Sequence, residues 1–371
     1  MADAAPKRNG EIDFWKFVAS IYIVLFHSRA FYDPDLFRGS MALAVEFFFV
    51  VSGFFFALSV YRDNREFRLR TIGRETADFL RHRVGGFLYY YLFGFGVSFL
   101  LAILQYRSAL LSFKTIRDVV LEFFLLSSLT STTCRIIPAD WYLSAMLIAM
   151  LLLYPFFRYK KGIFSAIVAP ILGVGGLVYI MIRFGVIASS GNGAFPPKGL
   201  TRAVTSICLG VAAYRISELL KKKSFDKFGA ALCSGICAIS ILVTFALFWR
   251  MPKTVQPVAV VLSAVFVAIS ASEKSVFSRM FPVKICRKLG EFSLAIYLGH
   301  SAVRTVLLAL ANRITFLQPL FANGDKQWYG VLIYLVCSAA LAVIMMLLRK
   351  WLNAFLAARK KAKTGQPVTV E

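Results

Sequence analysis

Ten apolar runs, each about 20 residues long, constrain this chain more than any other feature, because a run of that length crosses a bilayer as a helix. They fall at 12–31, 41–61, 84–104, 140–157, 163–182, 200–217, 228–249, 255–272, 289–311 and 329–350. The expectation is an all-α polytopic membrane protein with about ten transmembrane helices. Composition agrees: 58% of the 371 residues are hydrophobic and 17% charged, where soluble proteins are about half apolar and a quarter charged. Residues 115–131 differ. Lys114, Arg117, Asp118 and Glu122 precede or interrupt their apolar run, which suits an interfacial or re-entrant amphipathic helix.

Loop charge orients the helices. Seven Arg lie between 62 and 83, five cations in 273–288 and six from Arg349 onward. Lys7 and Arg8, Arg158 with Lys160 and Lys161, and Lys221, Lys222, Lys223 and Lys227 fill the other loops on that side. This is the positive-inside pattern with both termini cytoplasmic. The net charge of +24 would suggest nucleic acid in a soluble protein. Here topology and contact with anionic membrane lipids account for it, and no nucleic-acid partner is required. The expected division is a cytoplasmic tail at 1–11, one transmembrane domain at 12–350, and a basic, disordered cytoplasmic tail at 351–371. No repeat of 20–50 residues and no inverted duplication is visible. The first apolar run is too long and too charged for a signal peptide. The six cysteines show neither CxxC nor metal-ligand spacing, and only Cys134 falls in an extracytoplasmic loop. They imply no disulfide framework and no metal site.

Within the first run, Asp13, Lys16 and His27 are expensive in hydrocarbon, so each is a functional candidate. Lys16 and His27 are eleven residues apart, which places them on one helix face, roughly 16 Å apart along the axis. Ser20 falls on nearly the same stripe. Asp13 and Lys16 form either a neutralising i,i+3 pair or a binding point for an anionic ligand entering from the cytoplasm. A lone His in a membrane helix is as often a packed residue as a reactive one. Glu46, at similar depth on the second helix, offers His27 a partner that would orient the ring and keep it basic, as a general base needs. The plain alternative for Glu46 is an interhelical hydrogen bond. Ser52-Gly53 permits close approach of a helix or ligand. Arg81 and Arg83 satisfy topology and also suit phosphates. Trp141 and Tyr142, with Ser144, open the fourth run, where an interfacial aromatic belt is the bland reading. Glu291, Ser293, Tyr297 and His300 share a side of the ninth.

At these residues the chain resembles the acyltransferase 3 family of membrane acyltransferases. Asp13, Lys16 and His27 fit its first-helix pattern, with Lys where many members carry Arg. Phe48-Phe49-Val50-Val51-Ser52-Gly53-Phe54 fits the FF-x-x-SGF pattern, and Ser293, Tyr297, Leu298 and His300 fit S-x-x-x-Y-L-x-H. Trp141-Tyr142-Leu143-Ser144 is similar to the family's outer-face Trp motif. Phe79-Leu80-Arg81-His82-Arg83 resembles its basic segment, but Gly85-Gly86 follow where Arg and Pro often do.

The resemblance implies transfer of an acyl group, usually acetyl from acetyl-CoA, to a hydroxyl on the far side of the cell membrane, plasma or inner. The acyl-CoA would be a co-substrate rather than a bound cofactor. Its head group would sit near Asp13, Lys16, Arg81 and Arg83, and its thioester would reach His27 as general base, with Glu46 orienting it. Direct attack by the acceptor is the simpler scheme, and an acyl-His intermediate is the alternative. Trp141, Tyr142, Ser144, Tyr297 and His300 would line the path of the acceptor or thioester. The acceptor would be a cell-surface or lipid-linked carbohydrate, selected by the loops at 187–199 and 312–328. Two other classes compete. A proton-coupled transporter or flippase also uses buried His, Glu and Lys. A scaffold without chemistry leaves the stripe on the first helix unexplained.

Overall fold

Asn9 starts the first helix: its side-chain oxygen accepts from the Ile12 N–H at 3.1 Å, and its amide donates to the Ser270 carbonyl at 2.8 Å. That second bond ties the chain's beginning to a segment 261 residues away. Glu11 strengthens the anchor by accepting from the Ser270 hydroxyl at 2.8 Å. The computed structural model describes residues 9–28, 39–106, 112–129, 136–137, 140–188, 195–249, 252–321 and 327–364. Its helices are α1 (Gly10–His27), α2 (Ala44–Arg62), α3 (Ile72–Tyr106), α4 (Phe113–Phe123), α5 (Trp141–Tyr159), α6 (Lys161–Ile163), α7 (Ala169–Phe184), α8 (Lys198–Lys221), α9 (Lys227–Trp249), α10 (Gln256–Ala271), α11 (Val283–Arg313), α12 (Gln318–Phe321) and α13 (Gln327–Thr364). A π-helical turn at Phe164–Val168 joins α6 and α7 into one rod. The described residues contain no strand.

Nine rods among the described residues are long and apolar enough to cross a membrane, and they coincide with nine of the ten apolar runs. The tenth run forms α1, whose Glu11, Asp13 and Lys16 set it apart by charge. The protein is an all-helical polytopic membrane protein. Many of its large apolar side chains face outward, Ile182, Leu151 and Leu242 among them, as expected where lipid replaces water.

Helix α4 is the amphipathic element expected over 115–131. Phe113, Ile116, Val120 and Phe123 are exposed, while Asp118 and Glu122 are buried. The apolar stripe faces out and the acids face in. At 11 residues it rises only about 16 Å, too little to span.

Helix α1 packs along α11, and α2 along α8. The second pair is unusually close. A Cβ on Gly53 would collide with the Ile207 carbonyl, and one on Gly210 with the Val50 carbonyl. Gly53 of the SGF run therefore serves helix contact, one of the two uses its sequence suggested. At the end where α1 starts, buried Arg158 holds the α2–α3 connection. It donates to Glu75 Oε2 at 3.0 Å and to the Arg65 and Asp63 carbonyls at 2.9 and 3.3 Å. The Arg65 guanidinium hydrogen-bonded to Asp63, with Arg158 beside it, holds the Asp63 carboxyl down at about 2. The last helix departs from expectation. It runs on through Thr364, so 351–364 continue α13 rather than forming a disordered tail. Cys134 and residues 365–371 lie outside the described residues.

Candidate active site

Six helices converge on a cavity of about 310 Å³. Its polar side is built from Lys16 of α1, Arg83 of α3, Glu291 of α11 and Arg349 of α13. Three cations line it against one carboxylate, so the balance stays positive even with Asp13 paired to Lys16, and guanidinium groups suit phosphate oxygens in particular. Arg83 is held by its Nη2, which donates to the Ser52 carbonyl at 3.4 Å, and it lies over the Phe79 ring. Arg349 lies over the Tyr90 ring at 4.9 Å. Lys16 is paired with Asp13 at 3.2 Å, and the Ser293 hydroxyl donates to its carbonyl at 2.9 Å, registering α1 against α11.

The other side of the cavity is aromatic. Phe48 of α2, Tyr142 of α5 and Tyr297 of α11 form a triangle with centroid separations of 6.1, 6.0 and 5.8 Å. Tyr142 is fixed by a 3.1 Å hydrogen bond between its hydroxyl and that of Ser52. Beyond the triangle, Tyr297 touches His300 at 6.1 Å, and His300 touches His27 at 5.0 Å between ring centroids. His300 is fully buried, with Nδ1 at 3.2 Å from the Ile296 carbonyl. A carbonyl only accepts, so that bond puts the proton on Nδ1 and leaves Nε2 as a lone pair. Nε2 is buried and has no hydrogen-bond partner among the described residues. An imidazole pair with one free lone pair, screened from a cationic cavity by three rings, can take a proton from a hydroxyl in a water-poor setting.

Of the residues singled out in the sequence, Lys16, Arg83, Tyr142 and Tyr297 line the cavity and His27 and His300 lie beyond Tyr297, while several others lie elsewhere. Glu46 does not pair with His27. Both of its oxygens accept from Arg202, Oε1 from Nε at 2.6 Å and Oε2 from Nη2 at 2.8 Å, in an ion pair buried between α2 and α8. Depth matched Glu46 to His27, but its azimuth points it at α8. Arg81 is also outside the cavity. Its side chain is 83% exposed, 3.7 Å from Asp78, and it borders a separate shallow groove with His82 and Gly85. Two residues apart on a helix is about 200°, so Arg81 and Arg83 face opposite ways. Asp13 does not line the cavity; it pairs with Lys16, and its carboxylate lies against Gly290. Trp141 lies beneath the Arg202 guanidinium at 4.6 Å, against Phe49 and Gly199. The Ser144 hydroxyl accepts from the Ser128 N–H at 3.0 Å, holding the segment before α5. Neither Trp141 nor Ser144 lines the cavity.

Arg202 and Arg349 escaped the sequence reading. An Arg inside an apolar run needs a buried acid, and that requirement was the available signal for Arg202. Arg349 looked like a topological charge.

A family model described as an acyltransferase domain matches residues 9–348. The match spans nearly the whole chain, and the protein belongs to the acyltransferase 3 family: it is an acyltransferase-type membrane protein. No curated protein and no solved structure matches it significantly.

Proposed function

We propose that this protein transfers an acyl group, acetyl in the simplest case, from acyl-CoA on the cytoplasmic side to a hydroxyl of an extracytoplasmic carbohydrate acceptor. The observation that carries this reading is the cationic cavity separated by one aromatic layer from the His27–His300 pair. The CoA phosphates sit among Lys16, Arg83 and Arg349. The pantetheine arm follows the cavity, and its length is comparable to the roughly 16 Å rise between Lys16 and His27. The thioester meets the acceptor at the aromatic triangle. His27 takes the proton of the acceptor hydroxyl as its oxygen attacks the thioester carbon. The C–S bond breaks, and the departing thiolate recovers the proton from the imidazolium. His300 packs against His27 at 5.0 Å between ring centroids and holds that ring in place. Of the described residues that line the cavity, neither Ser52 nor Ser293 is hydrogen-bonded to a base, which favours direct transfer.

Radiolabelled acetyl-CoA supplied to purified protein in vesicles tests this reading. Label transferred to a glycan acceptor is expected. Movement of unmodified solute, with no covalent label, would instead support a transporter.

A further inference from the structure

Helix α11 carries, inside its apolar stretch, a charge that the proposed chemistry does not use. Arg304 lies four residues beyond His300, one turn further along the same face. Tyr297, His300 and Arg304 thus form a stripe leading from the aromatic triangle, past the histidines and away from the cationic cavity. The Arg304 guanidinium lies within electrostatic reach of both His27 and His300 and of buried Tyr334. Its Nε is buried and has no hydrogen-bond partner among the described residues. Among the described residues it forms no ion pair. The contrast with the buried guanidinium groups is sharp: Arg304 is half-buried and has no acid partner, whereas Arg158 is held by Glu75 and Arg202 by Glu46. A half-buried guanidinium with its Nε shut away from solvent, and no acid paired with it among the described residues, is only partly compensated by its surroundings. Such a group suits an anion that arrives from outside the protein.

We infer that Arg304 is an acceptor-recognition residue, and that the acceptor carries a carboxylate or phosphate close to the hydroxyl that is acylated. The inference rests on the acyl-transfer reading and narrows its acceptor to an anionic unit. When that anion binds Arg304, it offsets the cation and sets the hydroxyl against the histidines with the right face toward the thioester. Carboxylate and phosphate share this chemistry. The first belongs to acidic sugars and the second to lipid-linked or phosphorylated ones.

The test uses cells that express the full chain as wild type, Arg304→Gln, Arg304→Lys or His27→Ala. Mass spectrometry identifies the glycan unit whose acylation depends on His27. That unit is expected to carry a carboxylate or a phosphate, and its identity separates the two sources. With that unit as acceptor and purified protein, Arg304→Gln is expected to raise the acceptor KM by roughly 10- to 100-fold, the range for one charge-assisted hydrogen bond. It is expected to leave kcat and the KM for acyl-CoA near wild type, and Arg304→Lys is expected to recover part of the loss. A neutral acylated unit would overturn the inference. So would a fall in kcat at unchanged acceptor KM, which would put Arg304 on the reacting oxyanion instead. Acylation that does not depend on His27 would remove the acyl-transfer reading, and with it this inference.

Discussion

Glu46 and His27 show how much a single residue's partner decides. Both are ionisable groups in apolar helices, and the cost of placing them there marks each as important. Glu46 is satisfied by a bidentate guanidinium, so its role is to hold α2 against α8. Replacing Glu46 by Ala leaves Arg202 charged and alone, a loss of about 3–5 kcal/mol. Thermal unfolding in detergent is expected to show that loss. The double variant Glu46→Leu, Arg202→Met is expected to recover most of it, together with activity. A catalytic carboxylate would behave differently: the single variant would stay folded but inactive, and the double variant would stay inactive. Asp63 gives a second prediction at this scale. Its carboxyl is held down at about 2 by Arg65, so ionised Asp63 stabilises the fold above its unfolded value of about 4. That contribution fades as pH falls from about 4 towards 2. Asp63→Asn is therefore expected to flatten the pH dependence of unfolding in that window, and an unchanged profile would contradict the assignment.

Helix contacts place the site. Gly53 and Gly210 let α2 and α8 approach until backbone meets backbone, which fixes where α2 presents Phe48 and Ser52. Gly53→Ala is expected to destabilise the protein by roughly 1–3 kcal/mol, as overpacking does. Reduced yield of folded protein and a lower unfolding temperature would show it, and wild-type values would refute the close contact. The aromatic triangle joins α2, α5 and α11, and each ring comes from a different helix. If it sets the depth open to the acyl group, Phe48→Ala should raise the rate with butyryl-CoA relative to acetyl-CoA by about tenfold or more, the scale of pocket discrimination per methylene. An unchanged ratio would show that the triangle does not limit the acyl chain.

For the whole molecule, the helices were legible because bilayer thickness leaves few solutions for a 20-residue apolar run. The family was legible because Lys16, His27, Ser52, Tyr297 and His300 recur at set spacings. Contacts that depend on helix rotation were not. Trp141 and Tyr142 are neighbours, about 100° apart, and only Tyr142 lines the cavity. Arg349 joins Lys16 and Arg83 only because α13 returns alongside α11, which no local pattern announces. Arg304 likewise gains meaning only from what surrounds it. The eleven residues between Lys16 and His27 put these two side chains at different depths along α1, roughly 16 Å apart.

That arrangement makes His27 the point on which the account turns. The decisive measurement is the rate of label transfer from radiolabelled acetyl-CoA to the acceptor, for wild type and His27→Ala in the same vesicles. Folded content and CoA binding are followed alongside. The account predicts a fall of roughly 100-fold or more, the scale of general-base catalysis, with folding and CoA binding retained. Undiminished transfer by the folded variant would contradict it.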